Sequence, residues 1–403
     1  MADHLHTDNL TSMNVVIIGA GLSGPLLAQG LRRRGVEVAL VERRTPAQHR
    51  NAGYRIHLDP QGDLALRACL EPSAYELVLR TAGVLGSGWR LLDTELNVIQ
   101  ETLVGQLEDP EQGRHLTVDR QTLREIVLDG LDDAVRHGAG FDHYRITGER
   151  VRVVLEDAST LEGDLLVGAD GSGSRVGTQR LPDLRVIDMG QLNIFGRTAL
   201  TDTTLPDVPP AALDGFCAVV SPDGLSMPLA AHRFANPPQA AAGALRPGLR
   251  LSSDHDYLMW VLTVPTARRS DGSPAAAGHS RPVTGTDLVG YVAEQVGSWH
   301  PGLARLVRAA EPGSVHATTV RSSRRPEPWP PDRVTLVGDS AHPMIPAGIG
   351  AAVALADAAL LAEQIGRAAR GERSVPDAVG DYEQQLRRYA FDAVEASEQR
   401  MRG

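Results

Sequence analysis

A glycine-rich turn near the start of the chain has the composition and spacing of a dinucleotide-binding loop. It follows an apolar, β-branched run and has the sequence Gly19-Ala20-Gly21-Leu22-Ser23-Gly24. In such a loop the first glycine permits a tight turn, the second lets the backbone approach a pyrophosphate, and the third lets helix and strand pack closely. Glu42 ends the next apolar run and is placed to accept hydrogen bonds from a ribose. A glycine turn without a ligand is the alternative.

Two later segments combine an acid with glycines at the end of an apolar run. The first is Gly168-Ala169-Asp170-Gly171, which by itself is equally consistent with a strand-ending Asx turn. The second is Gly338-Asp339-Ser340-Ala341-His342, which precedes Pro346, Gly348, Gly350 and an apolar helix. An Asp at a strand end can bind a ribose or ribityl hydroxyl. The glycines would let the backbone approach a flavin ring at the N-terminus of that helix, whose dipole favours electron-rich flavin oxygens.

The hydrophobic pattern around these segments predicts an α/β fold. A strand, a helix and a second strand follow one another from Met13 to Val41, and this βαβ unit requires a parallel sheet with the glycine turn at its carboxyl edge. Leu165 to Val167 and Val334 to Val337 predict two further buried strands. Between Leu181 and Pro330 the strand-like pieces alternate with Pro- and Gly-rich loops, which predicts an antiparallel domain inserted into the first.

The predicted nucleotide-binding domain is therefore discontinuous. It comprises residues 13–75, 100–180 and 321–403, and the predicted substrate domain comprises residues 76–99 and 181–320. Residues 1–12 are polar and lack the apolar stretch of a signal peptide, so we expect a disordered leader on a cytoplasmic protein.

Composition argues against several classes of function. The 403 residues carry a net charge of -10, and the arginines are scattered among acids, which disfavours nucleic-acid binding. The longest apolar run, Gly350 to Ala362, is too short for a membrane span and contains Asp357. Cys69 and Cys217 lie far apart in apolar surroundings, which favours reduced, buried thiols. The sequence contains no evident metal-ligand cluster and no Ser/His/Asp arrangement.

In this order and spacing, the three glycine-containing segments resemble those of the single-component flavoprotein aromatic hydroxylases typified by p-hydroxybenzoate hydroxylase. That family also includes salicylate hydroxylases and tetracycline-inactivating monooxygenases. The resemblance covers nearly the whole chain and implies a p-hydroxybenzoate hydroxylase-like fold that binds FAD. It implies that the N-terminal turn binds the ADP part, that Asp170-Gly171 lies near the pyrophosphate and the nicotinamide donor, and that Asp339, Pro346 and Gly348 bind the riboflavin part.

Two arginines also match the family pattern, and one loop departs from it. Arg43 and Arg120 fall where the family places flavin-contacting arginines, with surface charge as the alternative. The loop after Pro346 is one residue shorter than the family pattern, and Ala352 stands where the family has Asn. Since that loop lies against the flavin ring in the family, the departure concerns flavin position or oxygen reactivity.

The resemblance implies an FAD-dependent monooxygenase that hydroxylates or epoxidises a small aromatic or polyketide-like substrate through a flavin hydroperoxide. The sequence has no second glycine fingerprint for a resident donor, and the resemblance implies that NADH or NADPH donates the electrons and binds transiently. The alternatives on this scaffold are an FAD-bound non-redox cyclase or binding protein, and a flavin-dependent reductase of a double bond. A halogenase is disfavoured because the four tryptophans are isolated.

No side chain is assigned as a catalytic base, since the cofactor does the chemistry in this mechanism. His342 and Pro346 are candidates because they flank the flavin segment, although a histidine beside a strand end is more often a packing residue. The candidates for contact with the substrate, for which core packing is the alternative, are His57, Trp89, Met227, His232, Tyr257 and Trp260.

Overall fold

The computed structural model describes residues 13–46, 54–103, 111–266 and 285–402. The predicted leader, residues 1–12, lies outside these ranges. The strands in chain order are β1 (Asn14–Ile18), β2 (Glu37–Glu42), β3 (Arg55–Leu58), β4 (Gly88–Leu92), β5 (Val98–Leu103), β6 (Leu116–Asp119), β7 (Val135–His137), β8 (Phe141–Thr147), β9 (Arg150–Leu155), β10 (Thr160–Gly163), β11 (Leu165–Gly168), β12 (Val186–Ala199), β13 (Gly215–Val220), β14 (Ser226–His232), β15 (Tyr257–Pro265), β16 (His316–Ser323) and β17 (Val334–Leu336). The α-helices are α1 (Ser23–Arg32), α2 (Pro60–Cys69), α3 (Pro72–Thr81), α4 (Arg120–Leu128), α5 (Arg175–Arg180), α6 (Pro210–Leu213), α7 (Pro238–Leu245), α8 (Gly285–Gln295), α9 (Pro301–Arg308), α10 (Gly350–Ala369) and α11 (Val375–Arg402).

A parallel sheet forms the first half of the molecule, in the order β17-β11-β1-β2-β7. Its central strands are apolar runs, and β11 and β17 are buried along their whole length. A strand buried on both faces needs helices above and below it, and α1, α10 and α11 contribute apolar side chains to the surrounding core. The predicted βαβ unit and the two predicted buried strands are confirmed.

The second half is a mixed sheet in the order β16-β12-β15-β14-β13-β4-β5. Its neighbours pair antiparallel, as predicted, except for β13 and β4, which run parallel. That exception arises because β4 and β5 come from an earlier part of the chain, form their own hairpin and add it to the sheet edge. Helices α8 and α9 pack on one face of this sheet and enclose a second hydrophobic core.

Two smaller sheets complete the strand pairing. The strands β3 and β6 form an antiparallel pair, and β8, β9 and β10 form a meander whose buried side chains join the first core. The predicted domain limits stay a prediction. Helix α7 lies in the range predicted for the substrate domain, but its residue Ala242 packs into the first core.

Both cysteines are buried and unbonded to each other. Burial raises the pKa of the Cys69 thiol and of the Cys217 thiol to about 12, so both stay protonated and unreactive at neutral pH. Within the described ranges, no helix has the length and apolar composition needed to cross a bilayer.

Candidate functional site

Four segments singled out in the sequence meet at one edge of the parallel sheet. The strands β17, β11, β1 and β2 are consecutive neighbours and all run in the same direction. The glycine turn, Glu42, Asp170-Gly171 and Gly338-Asp339 follow or end these strands, so they share its carboxyl edge. Ligands of open α/β sheets bind at this edge. The fold thus joins segments that are more than 300 residues apart into one site.

The glycine turn leaves no room for side chains at two positions. Gly19 has φ = +109°, and a Cβ atom there would lie 2.2 Å from the carbonyl oxygen of Ala169. A Cβ atom on Gly24 would lie 2.1 Å from the carbonyl oxygen of Gly19. By contrast, a Cβ atom on Gly21 would meet nothing within 4 Å. The turn is therefore packed tightly against β11 and α1, and its backbone at Gly21 is open to a ligand.

Leu22 and Ser23 lead from this turn into the first helix. Leu22 is the N-cap of α1 and provides no side-chain hydrogen bond to it. The helix begins at Ser23, whose hydroxyl lies beside Gly338. The N-terminal amides of α1 are consequently directed toward the shared edge, where an anion would be stabilised.

Glu42 is nearly buried, at 8% exposure, and holds the turn in place. Its Oε2 accepts a hydrogen bond from the backbone amide of Ala20 at 2.8 Å, and its Oε1 accepts one from the amide of Arg44 at 2.7 Å. Each carboxylate oxygen has a further lone pair. The predicted ribose contact is compatible with this geometry.

A cleft of about 260 Å³ opens beside the turn. We call it the nucleotide cleft, and its lining residues are Ile18, Gly19, Gly21, Val41, Glu42, Arg43, Arg44, Arg120, Gln121, Arg124, Ala139, Phe141, Ala169, Asp170, Gly171, Gly173 and Arg175. Five of these residues are arginines and two are acids, although the whole chain carries a net charge of -10. Such a local excess of guanidinium groups is suited to binding phosphate oxygens.

Sequence reasoning selected Arg43 and Arg120 but missed Arg124. Arg120 and Arg124 are four residues apart on α4, so both side chains project from the same face of that helix. Arg124 donates from Nε to the carbonyl oxygen of Ala20 at 2.7 Å, while its buried Nη2 has no hydrogen-bond partner in the described part of the chain. The i, i+4 spacing was the signal that could have identified it.

Asp170 uses its carboxylate within the protein. Its Oδ2 accepts from the backbone amide of Arg175 at 2.8 Å, and its Oδ1 accepts from the hydroxyl of Ser174 at 2.5 Å, which fixes the start of α5. Asp170 therefore supports the first turn of α5, a contact five residues along the chain that differs from the Asx turn considered as the alternative. The adjacent Gly171 donates its amide to the hydroxyl of Ser340 at 2.9 Å and lines the nucleotide cleft, so Ser340 links the second segment to the third.

Asp339 occupies a different environment. It lies deep in the fold, and burial raises the pKa of its carboxyl while His342 and Arg120 oppose that rise. Its side chain is nevertheless exposed, which places it on the wall of an internal recess. Among the described residues, no hydrogen-bond donor is directed at its carboxylate. Asp339 can therefore accept hydrogen bonds from ligand hydroxyls, as the resemblance implied for the ribityl chain.

The loop from Pro346 to Gly350 stands next to this recess. Pro346 and Gly348 are exposed, and α10 begins at Gly350 without a side-chain cap on its amides. Ala352, which replaces the family's Asn, is fully buried against Gly62 of α2. A Cβ atom on Gly62 would lie 3.1 Å from the Cα of Ala352, so the two helices are almost in contact. The replacement therefore accompanies close packing of α2 on α10.

His342 is fully buried behind the recess and is inaccessible to a substrate. Its Nε2 lies 2.6 Å from Oδ2 of Asp357, and the same oxygen accepts the amide of Gly338 at 2.6 Å. Tyr389 donates its hydroxyl to the other Asp357 oxygen. Burial alone would lower the pKa of His342, but the attraction of Asp357 raises it above its usual value. This arrangement makes His342 a positioning residue for the Gly338-Asp339 turn.

The candidate substrate contacts separate onto two faces of the seven-stranded sheet. Met227 and Trp260 are completely buried in the second core, on the face that packs against α8 and α9. His232 and Tyr257 point to the opposite face, where Tyr257 donates its hydroxyl to Asp119 at 2.8 Å and the His232 ring stacks on the Tyr257 ring. We call this second face the inner face, because it covers β3, β6 and the start of α4.

Trp89 and His57 belong to the same side of the molecule. Trp89 pairs with Phe216 across β4 and β13, one position before the core residue Cys217, so its side chain is on the inner face. His57 of β3 lies under that face, and its Nε2 is 3.1 Å from Nδ1 of His115. The six candidate contacts thus divide between the inner face, with Trp89, His57, His232 and Tyr257, and the helix-covered face, with Met227 and Trp260, and they stay predictions.

The residues present fit FAD. The nucleotide cleft offers an open glycine backbone, a ribose-accepting carboxylate and an excess of guanidinium groups for a pyrophosphate. The recess offers a deep carboxylate and the uncapped amides of α10 for the polar edge of a flavin. The unpaired Nη2 of Arg124 in particular indicates a missing acceptor.

Comparison with known proteins agrees with this assignment. The sequence matches a family described as an FAD binding domain over residues 12–57 and 306–397. It is 28% identical, over 94% of its length, to a dual O-methyltransferase/FAD-dependent monooxygenase of Phaeosphaeria nodorum, and it spans 45% of that relative. It is 25% identical to zeaxanthin epoxidase of Oryza sativa, covering 94% of the chain and 52% of the relative. The chain thus spans about half the length of these relatives.

Solved structures share the fold over nearly the whole chain. A protein of Photorhabdus luminescens described as an FAD-containing monooxygenase superposes with a TM-score of 0.79 at 28% identity, covering 97% of this chain and 98% of the other. HpxO of Klebsiella pneumoniae, complexed with FAD and uric acid, has a TM-score of 0.73 at 22% identity, covering 96% and 88%. The chain is thus similar in sequence and in fold to FAD-dependent monooxygenases, and part of it matches an FAD binding domain.

Proposed function

We propose that the chain is an FAD-dependent monooxygenase that inserts one oxygen atom of O2 into a small aromatic or polyketide-like substrate. NADH or NADPH supplies two electrons, and the second oxygen atom leaves as water. The observation that carries the proposal is the convergence of the glycine turn, Asp170-Gly171 and Gly338-Asp339 at one sheet edge, next to the inner face of a second sheet. The FAD-dependent monooxygenases among the relatives support it.

The protein's part in this reaction is to hold the cofactor and exclude water. FAD, when bound, supplies electron transfer and oxygen activation. The arginines of the nucleotide cleft would hold its pyrophosphate, and Asp339 would accept hydroxyl groups of its ribityl chain. The amide ends of α10 would stabilise negative charge on the flavin ring. The buried rings of the inner face would keep water away and orient the substrate.

The test uses the purified chain reconstituted with FAD. Oxygen uptake, NADH or NADPH oxidation and product formation are measured against a panel of phenols and polyketides, with ¹⁸O2 to trace the inserted atom. We expect equal molar consumption of donor, O2 and substrate, with ¹⁸O in the product. A protein that cannot be reconstituted with FAD, or a product without ¹⁸O, would contradict the proposal.

Two arms address the alternatives. Conversion without O2 and without a donor would favour a non-redox cyclase, and donor oxidation with reduction of a double bond but no oxygen uptake would favour a reductase.

Asp339→Asn provides an internal check, because it removes the carboxylate from the recess and should weaken FAD binding. Asp223→Asn, in an exposed turn between β13 and β14, is the matched control and should bind FAD normally.

A further inference from the structure

A cluster of charged and aromatic side chains lies between the inner face and the β3–β6 pair. Arg55 is opposite Asp119 in that pair, and His57 is opposite Thr117, so the four side chains share one face. The face is turned toward the seven-stranded sheet, because Tyr257 donates to Asp119 and Nδ1 of His232 lies 3.4 Å from the Thr117 hydroxyl.

Asp119 does not neutralise Arg55, although the two are cross-strand neighbours. Its Oδ1 accepts the amide and the hydroxyl of Thr122, each at 2.8 Å, and the hydroxyl of Ser253 at 2.8 Å. Its Oδ2 accepts the hydroxyl of Tyr257 at 2.8 Å. Four uncharged donors therefore occupy the one carboxylate that β6 presents beside Arg55.

Arg55 has no direct partner for its charge in the described part of the chain. Within the described ranges its side chain makes no hydrogen bond or ion pair, and its buried Nε has no acceptor. The residue as a whole retains some accessible surface, so the end of the side chain is not sealed. Burial lowers the pKa of Arg55, as expected where the protein provides no counter-charge, but an arginine remains protonated in proteins.

Arg197 on the inner face shows the contrast. It packs over the ring of Tyr257, 5.3 Å from the ring centroid, and it forms an ion pair with Glu311 at 2.7 Å. This second deep guanidinium has both an aromatic contact and a carboxylate. Arg55 has no carboxylate partner of this kind among the described residues. Burying an unpaired cation is costly, so an anion from outside the chain would be stabilised beside Arg55.

Resting on the proposed function, we propose that Arg55 binds an acidic oxygen of the substrate, which makes the substrate class aromatic or polyketide compounds bearing a carboxylate, phenolate or enolate. The aromatic requirement has its own support. The rings of Tyr257, Tyr54, His316 and Phe195 follow one another along the inner face with centroid separations of 6.5, 5.7 and 5.3 Å. Tyr257 and Tyr54 are buried, whereas His316 and Phe195 are half-buried. A flat molecule that contacts the rings of His316 and Phe195 would direct an acidic oxygen toward Arg55, which follows Tyr54 in the chain.

The experiment compares a charged probe with its neutral analogue in the FAD-loaded protein. Binding of 3-hydroxy-2-naphthoate and of 3-hydroxy-2-naphthamide is followed by the change in the visible flavin spectrum. We expect the wild-type protein to bind the naphthoate about 10- to 100-fold more tightly, the strength of a charge-assisted hydrogen bond. Arg55→Gln should abolish this preference, and Arg55→Lys should keep part of it. Arg305→Gln in α9, whose exposed guanidinium pairs with Asp207 on the other side of the sheet, is the control and should retain it.

Other outcomes would overturn the inference. Equal binding of the two probes by the wild type, an unchanged preference in Arg55→Gln, or no response to either probe each contradicts it. If Arg55→Gln loses FAD while the protein that stays loaded keeps the preference, Arg55 serves the cofactor and the inference is wrong. FAD content and oxygen uptake are recorded for every variant. The proposed function can thus fail, through absence of FAD or of oxygen uptake, independently of the substrate charge.

Discussion

The nucleotide cleft and the inner face of the seven-stranded sheet are built by different means. The cleft is defined by backbone, because Gly19 and Gly24 pack where no side chain fits and five arginines surround the opening. The inner face is defined by side chains, among them the rings of Phe195, His232, Tyr257 and His316 and the guanidinium of Arg197. Backbone geometry tolerates little variation, whereas side chains on a rigid sheet can be exchanged. This difference fits a common cofactor on one side and a particular substrate on the other.

The largest effect is expected in the cleft, from Gly24→Val. The new Cβ atom would lie 2.1 Å from the carbonyl oxygen of Gly19, and that oxygen cannot move without displacing the turn from β11. We expect loss of FAD binding, seen as the absence of flavin absorbance after reconstitution. Gly243→Ala in α7 has open space around its Cβ atom and should bind FAD as the wild type does. Normal FAD content in Gly24→Val would show that the cleft is not defined by backbone packing.

The same difference explains what the sequence could and could not predict. The glycine turn, Glu42 and Asp339 were identifiable because their types are required by backbone geometry and strand position. For the inner face, the sequence indicated the strands but not which of their side chains point toward the site. Tyr257 and Trp260 are three residues apart on β15, so they must point to opposite faces, and both are completely buried. Burial on both faces erases the alternation that would have told which one faces the site.

A change that acts on both regions should have the next largest effect. Asp119 caps α4, which carries Arg120 and Arg124, and it also accepts the hydroxyl of Tyr257 from the inner face. Asp119→Ala removes a cap and leaves buried hydroxyl groups unpaired, which should lower the free energy of unfolding by about 3 kcal/mol. Tyr257→Phe removes one donor only and should cost about 1 kcal/mol. Urea denaturation measures both. Equal losses in the two variants would mean that the helix cap contributes nothing.

The inner face should also produce a dependence of stability on pH. Burial lowers the pKa of His232 to about 4, which is below the value of about 6.5 for an unfolded histidine. The folded protein therefore binds fewer protons at this residue. The stabilisation of the folded protein that comes from keeping His232 neutral is complete above about pH 6.5. As the pH falls toward 4, the free energy of unfolding decreases by about 1.4 kcal/mol per pH unit.

His232→Gln tests this dependence through a slope, so any constant loss of stability in the variant does not matter. Between pH 6.5 and 4.5, its free energy of unfolding should fall less steeply than that of the wild type. His255→Gln is an informative control, since Glu311 and Asp254 outweigh burial and raise the pKa of His255. That residue stabilises the fold at low pH and loses its effect as the pH rises, which is the opposite sign. Parallel curves for the wild type and His232→Gln would refute the assignment of a neutral, buried His232.

The smallest effect is expected where the cleft depends on charge. Arg124→Gln keeps an amide donor near the carbonyl oxygen of Ala20 but removes one of the five guanidinium groups around the cleft. We expect about a 10-fold higher Kd for FAD, the loss of one charge-assisted contact. Added salt should weaken FAD binding less in this variant than in the wild type, because one screened attraction is missing. Arg90→Gln, whose partners Glu101 and Asp214 lie on the seven-stranded sheet and its edge, is the control and should change neither quantity. An unaltered Kd in Arg124→Gln would indicate that backbone amides alone hold the pyrophosphate. The cleft would then recognise FAD only through its backbone, and side-chain recognition would be confined to the inner face.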